Sequence, residues 1–242
     1  MYINPFTKIH STYEEAKEHY AKDSYGILFD DQKQLPITDI VQGKRNLIVG
    51  EPGIGKTELL KKITEHLNSK GCSTKLISLR LENAIDQIDS FLKEPSGQSK
   101  SILLDALDEI PSKIFSSVLE KIREISNKSP EMAIHLSSRW VFISKYASSF
   151  PDYRIVTIFP FTHSQMKEYL TTQNRSELQV EDFITRVMQF NHGRVVLQIP
   201  RYLSYLQEFL KAKNIDNVKN ISRNELFEHL IYSKLEDEDK KL

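Results

Sequence analysis

Cysteine is almost missing from this chain: Cys72 stands alone among 242 residues. An intrachain disulfide and a cysteine-rich metal site are both excluded. No charge of one sign prevails, since Lys plus Arg and Asp plus Glu both number 33. A dedicated nucleic-acid binder usually carries a basic surplus, so composition indicates no nucleic-acid partner. No apolar run approaches the roughly 18 residues that can span a bilayer. The opening Met1-Tyr2-Ile3-Asn4-Pro5 lacks the charged and apolar regions of a signal peptide. No membrane partner is therefore expected, and a cytoplasmic location is the default. Internal repeats and low-complexity segments are missing as well. What remains is 39% hydrophobic and 27% charged, the composition of a globular chain long enough for one large domain with a smaller companion.

The pattern along the chain predicts an α/β fold. Ser11 and Glu14 are spaced as a capping box, which makes residues 1–24 a helical N-terminal extension reaching about Lys22. Ile27-Leu28-Phe29 is a short strand candidate. Asn46-Leu47-Ile48-Val49 is an apolar run stopped by Gly50, followed by a helix with Leu59, Leu60, Ile63 and Leu67 on one face and Gly71 at its end. Strand candidates recur at 74–79, 101–104, 133–137 and 154–158, with helical stripes between them. Such alternation predicts a parallel sheet covered on both faces, here over residues 25–160. From Thr162 and Gln165, another capping box, only helical signals follow: near 178–190, 200–212 and 222–236, the last opened by Ser222 and Glu225. Residues 161–242 are thus expected to form a small helical lid, with the ligand between lid and core.

Gly50-Glu51-Pro52-Gly53-Ile54-Gly55-Lys56-Thr57 fits G-x-x-x-x-G-K-[ST]. Glycines let backbone N–H groups approach a β-phosphate, and the N-terminus of the following helix favours the same anion. Lys56 is suited to bridge β- and γ-phosphate oxygens and Thr57 to ligate Mg²⁺. Gly50 through Glu58 is therefore the candidate binding segment for ATP or ADP with Mg²⁺.

Ser101-Ile102-Leu103-Leu104-Asp105 places a carboxylate at the end of a buried strand, the edge where parallel sheets bind ligands. Asp105 is the candidate partner of the metal, and Asp108 or Glu109 the candidate group that orients or deprotonates an attacking water. The plainer reading of Asp108 and Glu109 is acidic charge at a helix start. Arg139, past Leu136-Ser137-Ser138, could bring a guanidinium to a γ-phosphate; otherwise it is a surface arginine at a strand end.

Gly50 to Thr57 together with Leu104-Asp105-Ala106-Leu107-Asp108-Glu109 resembles the NACHT family of STAND-class P-loop NTPases, within the AAA-like ATPase superfamily. In that family the acidic strand end reads Asp, a small residue, any residue, then Asp-Glu; Ala106 stands where glycine is commoner. Leu136 to Arg139 is similar to the family's sensor 1. Phe159-Pro160-Phe161-Thr162 with Gln165, Tyr169 and Leu170 is similar to the segment that opens its small helical domain. Pro200, in Ile199-Pro200-Arg201-Tyr202-Leu203, occupies the place of the family's proline motif, where the ring packs near adenine. Arg201 replaces the usual leucine there, and Pro200 is also a good first residue of a helix. The resemblance covers about residues 40–235. It implies a signalling switch that ADP closes and ATP opens, with slow hydrolysis and self-association into a nucleotide-dependent oligomer. It also implies a role in innate or antiphage defence and a trigger ligand that these residues do not identify. No winged-helix domain, C-terminal repeat array or N-terminal effector domain of that family is recognisable, so the chain is expected to be a shortened form of a longer protein.

Other P-loop classes fit less well. A GTPase needs Asn-Lys-x-Asp, whereas Asn127-Lys128-Ser129-Pro130 has proline at the aspartate position. A small-molecule kinase would carry an arginine-rich lid, and a transport ATPase a signature loop that Pro95-Ser96-Gly97-Gln98 does not supply. The reading that competes with a switch is an AAA-like motor acting on protein or nucleic acid with continuous turnover.

Overall fold

The structure is a computed structural model of the chain; it describes residue 3 and residues 5–24, 35–95, 99–171, 177–190, 197–212, 224–225 and 227–232. Two compact units divide the chain: Asn4–Gly26 with Lys33–Phe159 in one, and Met1–Ile3, Ile27–Gln32 and Pro160–Leu242 in the other.

The first unit is built on strands β1 (Thr7–His10), β2 (Arg45–Val49), β3 (Ser73–Ser78), β4 (Lys100–Asp105), β5 (Ala133–Ser138) and β6 (Arg154–Ile158). They form one six-stranded sheet in the order β1-β6-β2-β5-β4-β3. All pairings are parallel except β1 with β6, which is antiparallel from Thr7↔Ile158 to His10↔Ile155. Helices α1 (Tyr13–Ser24), α2 (Ile37–Val41), α3 (Lys56–Ser69), α4 (Ala84–Lys93), α5 (Phe115–Lys128) and α6 (Trp140–Tyr146) complete it. The expected α/β architecture, a mostly parallel sheet with helices of the P-loop NTPase kind, is what the chain forms.

The core explains the sequence pattern. Leu47, Ile48 and Val49 of β2 and Ile102, Leu103 and Leu104 of β4 are fully buried, as continuous apolar strands must be when both faces are covered. Helix α3 buries Leu59, Leu60 and Ile63, each contributing about 1.5–3 kcal/mol. It ends at Gly71 as anticipated, with Gly71 N–H on the Asn68 carbonyl (3.0 Å) and Cys72 N–H on that of Leu67 (3.0 Å), the bond pair of a Schellman cap.

The N-terminal segment departs from expectation. Residues 7–10 are not part of a helical extension but an edge strand of the sheet. The cap of α1 also starts one residue later than the Ser11–Glu14 spacing suggests. Glu15 N–H donates to Thr12 Oγ1 (3.2 Å), and Glu15 Oε2 accepts from Ser11 N–H (3.0 Å). With the helix beginning at Tyr13, Glu15 and not Glu14 reaches the third helical position that a capping box uses.

At the amino ends of β2, β5 and β6 lies a buried polar network. Asn46 Nδ2 meets His135 Nδ1 (2.9 Å) and donates to the carbonyls of Ile40 (2.9 Å) and Gly43 (2.7 Å), while Arg154 donates to Asn46 Oδ1 (3.0 Å). Burial pushes the His135 imidazole down to about 4, helped by the positive charges of Arg154 and Arg45.

The second unit is helical among its described residues, with α7 (His163–Thr171), α8 (Glu177–Met188) and α9 (Pro200–Ala212). The expected box opens α7: Thr162 N–H donates to Gln165 Oε1 (3.0 Å) and Gln165 N–H to Thr162 Oγ1 (3.2 Å). Its own apolar core gathers Phe161, Met166, Leu170, Phe183, Ile184 and Leu203. The Ile27–Phe29 strand candidate and the Ser222 cap lie outside the described residues.

Candidate nucleotide site

The strand order decides what meets at the carboxyl edge of the sheet. With β5 between β2 and β4, the loop after β2, the acidic end of β4 and the Ser137–Arg139 end of β5 become neighbours. The loop runs from Gly50 to Gly55 and feeds α3 directly. A Cβ on Gly50 would lie 2.8 Å from Ile54 Cγ2 and 3.2 Å from the Ile158 carbonyl oxygen, so the start of the loop has no room for a side chain. Gly55, just before the helix, has φ 104°, where glycine escapes the steric penalty of other residues. Ile54 is buried and anchors the loop, while Glu51 and Pro52 are exposed. The unpaired N–H groups and dipole of the α3 N-terminus face outward from this turn, a natural anion seat.

Lys56 folds across the loop, donating to the carbonyls of Gly50 (2.8 Å) and Glu51 (2.9 Å). Burial lowers its pKa, and the carboxylates of Asp108 and Asp105 work against that shift. Thr57 Oγ1 donates to Asp105 Oδ2 at 2.8 Å. The other Asp105 oxygen accepts the Ser137 hydroxyl, and Ser137 Oγ accepts Ala106 N–H at 2.9 Å. Asp105 is only 7% exposed, and hydrogen bonds to a charged group contribute about 1.5–3 kcal/mol each. The threonine hydroxyl and the carboxylate are oxygen donors side by side, the donor chemistry that suits Mg²⁺.

Ala106 adopts φ 64°, ψ 52°, a left-handed conformation that costs a non-glycine residue about 1–2 kcal/mol. A glycine would adopt it without that cost. The turn carries the chain through Leu107–Glu109 and back over the sheet edge. Asp108 Oδ1 accepts Arg139 N–H (3.1 Å) and its Oδ2 pairs with Arg139 Nε (2.9 Å). Glu109 is gripped from two sides, by Arg139 through Oε1 and by Arg80 through Oε2. Burial alone would raise the Glu109 carboxyl; the guanidiniums of Arg80 and Arg139 more than reverse this and hold it below the ordinary range.

Lys56, Thr57, Asp105, Asp108, Glu109 and Arg139 thus lie together at one edge of the sheet. Two further partners were not singled out from sequence: Ser137, quoted only as part of a strand end, and Arg80. Arg80 lies two residues past β3, at the same carboxyl edge, and that position was the available signal. Glu58 points elsewhere, exposed and paired with Lys61 (2.7 Å). Pro200 belongs to the helical unit, where it is the first residue of α9. Glu51 Oε1 accepts the Tyr20 hydroxyl at 3.2 Å, and Tyr20 packs its ring against Trp140, with centroids 4.9 Å apart.

Residues 46–147 match the sequence profile described as "ATPase family associated with various cellular activities (AAA)". No curated protein resembles the chain closely enough in sequence to be matched. Among solved structures, the chain is similar to Cdc6p from Pyrobaculum aerophilum (15% identity, TM-score 0.50, 69% of this chain and 56% of that one). It is also similar to the Aeropyrum pernix ORC1 protein, solved in complex with DNA (14%, 0.50, 93% and 65%). A third is PCH-2 of C. elegans (16%, 0.50, 83% and 63%). The chain therefore spans less than two thirds of these structures, and at such identities they speak for the fold alone. The profile match, on a sheet whose phosphate loop, acidic strand end and arginine meet at one edge, makes residues 46–147 an AAA-family P-loop NTPase domain.

Proposed function

We propose that the chain is a nucleotide-controlled switch: it binds ATP or ADP with Mg²⁺, hydrolyses ATP slowly, and self-associates according to the nucleotide held. The loop amides and Lys56 hold the phosphates, Thr57 and Asp105 the metal. When bound there, Mg²⁺ would supply charge neutralisation to the phosphates. Asp108 or Glu109 orients the water, and Arg139 faces the γ-phosphate. The observation that carries the slow-switch reading is the grip of Arg139 and Arg80 on Asp108 and Glu109. Glu109, held below the ordinary carboxylate range by the guanidiniums of Arg80 and Arg139, is a weakened base, so turnover is restrained. A place in the NACHT and STAND class, with a defence role and a trigger ligand, rests on the motif resemblance described above.

A second reading is an AAA motor. A fold neighbour held in complex with DNA means that this fold admits a nucleic-acid partner, although the balanced charge of the chain does not favour one.

The test is calorimetric binding of ATP, ADP and GTP with Mg²⁺, alongside phosphate release with and without DNA. Adenine-selective binding with turnover well below about 1 s⁻¹, the low end of common enzyme rates, is expected, and Lys56→Ala should abolish tight binding. Glu109→Gln or Asp108→Asn should keep binding and slow release. Fast turnover stimulated by DNA would move the assignment to a motor.

A further inference from the structure

Strand β1 ends on His10, and after Ser11 and Thr12 the first turns of α1 bring Glu15 and His19 to the same place. Those two are four residues apart and share one helix face. We propose that His10, Glu15 and His19 form a binding site for a divalent transition ion of the zinc class, with no ligand drawn from the phosphate loop.

One ligand atom from each residue lies within 4.8 Å of the others. His10 Nδ1 and His19 Nδ1 are 3.3 Å apart, and His10 Nδ1 is 3.8 Å from Glu15 Oε1. Two ligands of a tetrahedral ion with bonds of about 2.0–2.1 Å are separated by about 3.3 Å. The two imidazole nitrogens are thus already spaced as one edge of such a tetrahedron. The carboxylate is oriented as well: Ser11 N–H occupies Oε2 at 3.0 Å, leaving Oε1 as the oxygen toward the histidines, the kind of outer support that metal ligands use. His10 is 2% exposed and the Glu15 side chain 45%, so the site has a dry wall and a wet one, with the fourth position on the solvent side.

Burial lowers the His10 pKa and outweighs the opposing pull of Glu15; the neutral imidazole this favours is the form that ligates a metal. Two nitrogens and one oxygen suit Zn²⁺, whereas Mg²⁺ and Ca²⁺ prefer oxygen throughout. Such an ion would tie α1 to the edge strand. Tyr20, the next residue after His19, touches Glu51 of the phosphate loop, so the tie would also brace a helix in contact with the loop.

The test uses the full chain, free of any affinity tag, stripped with a chelator and titrated with Zn²⁺ in excess Mg²⁺. One equivalent should bind. Co²⁺ in its place should give the intense visible absorption of a tetrahedral site. His19→Ala and Glu15→Gln, both on the wetter side, should each weaken binding at least tenfold and remove the rise in melting temperature that Zn²⁺ gives the parent. Either variant suffices if the other folds poorly, as checked by circular dichroism. The chain has seven histidines, so equal affinity in parent and variants would mean the ion sits elsewhere and would overturn the proposal. No binding to the parent, or no tetrahedral Co²⁺ absorption at saturation, would overturn it too.

Discussion

In the proposed switch, Glu109 is the residue at which local charge would set the rate. Its two oxygens face different guanidiniums, Arg139 across the sheet edge and Arg80 at the end of β3. Arg139 is also held by Asp108, so Arg80 is the partner that can be removed with least disturbance. In Arg80→Ala the lowering influence of one cation is lost and the Glu109 carboxyl moves up toward its ordinary range. A carboxylate base with a higher pKa takes a proton more readily. Phosphate release at saturating ATP should therefore rise several-fold with ATP affinity unchanged, and the acid limb of the pH–rate profile should shift to higher pH. An unchanged rate and profile would remove Glu109 from the role of base. The contrast with Lys56, Thr57 and Asp105 shows what sequence can and cannot disclose at this scale. Those three are legible because the phosphate-loop pattern fixes the spacing of Lys56 and Thr57, and an acid closing an apolar strand run marks Asp105. Arg80 has no such local pattern; only the sheet order brings it to Glu109, 29 positions along the chain.

Elements are held in register by polar contacts that periodicity does not reveal. The apolar runs of β2, β4 and β5 announce strands, yet Asn46, His135 and Arg154 inside or beside them announce nothing, and the structure joins all three. The His135 pKa falls to about 4 in the folded chain against about 6.5 unfolded. The group is depressed by folding, so its contribution is complete above pH 6.5 and is lost as pH falls toward 4. Over that window the loss approaches about 3 kcal/mol, at 1.36 kcal/mol for each pKa unit. His10 is shifted the same way, so the parent alone does not isolate the effect. His135→Gln does: urea unfolding should find it less stable than the parent at pH 7.5, with the gap closing by about 2–3 kcal/mol at pH 4.5. A gap that stays constant with pH would mean His135 is not held neutral by its surroundings. The missed element has a physical reason too. In β1 the buried positions are Thr7 and His10 with Lys8 and Ile9 partly exposed, so no alternation marks the strand.

At the scale of the molecule, the N-terminal segment belongs to the nucleotide-binding unit and is not an appendage. Asn4–Gly26 clusters with Lys33–Phe159, Ala16 joins the central apolar core, and the Phe6 ring packs on Phe159 at 5.3 Å. A boundary at residue 25, which the helical pattern read for the first 24 residues suggests, would strip β1 from β6 and leave β6 as an open edge. Unpaired strand edges recruit other chains, and burial of Phe6 and Ala16 would be lost with it. Two fragments compare the boundaries directly. Residues 4–159 should be monomeric and unfold in one cooperative step. Residues 36–159, which keep the whole phosphate loop and the acidic end of β4, should melt several degrees lower and associate as concentration rises. Losing both an aromatic contact and an edge strand should cost at least about 2 kcal/mol, the lower end of the range for emptying one large buried side chain. Light scattering and thermal unfolding at two concentrations decide the matter. Equal melting and a monomeric short fragment would make β1 and α1 dispensable to the sheet. In that case the contact of Tyr20 with Glu51 would be the remaining reason to keep α1 in any account of the phosphate loop.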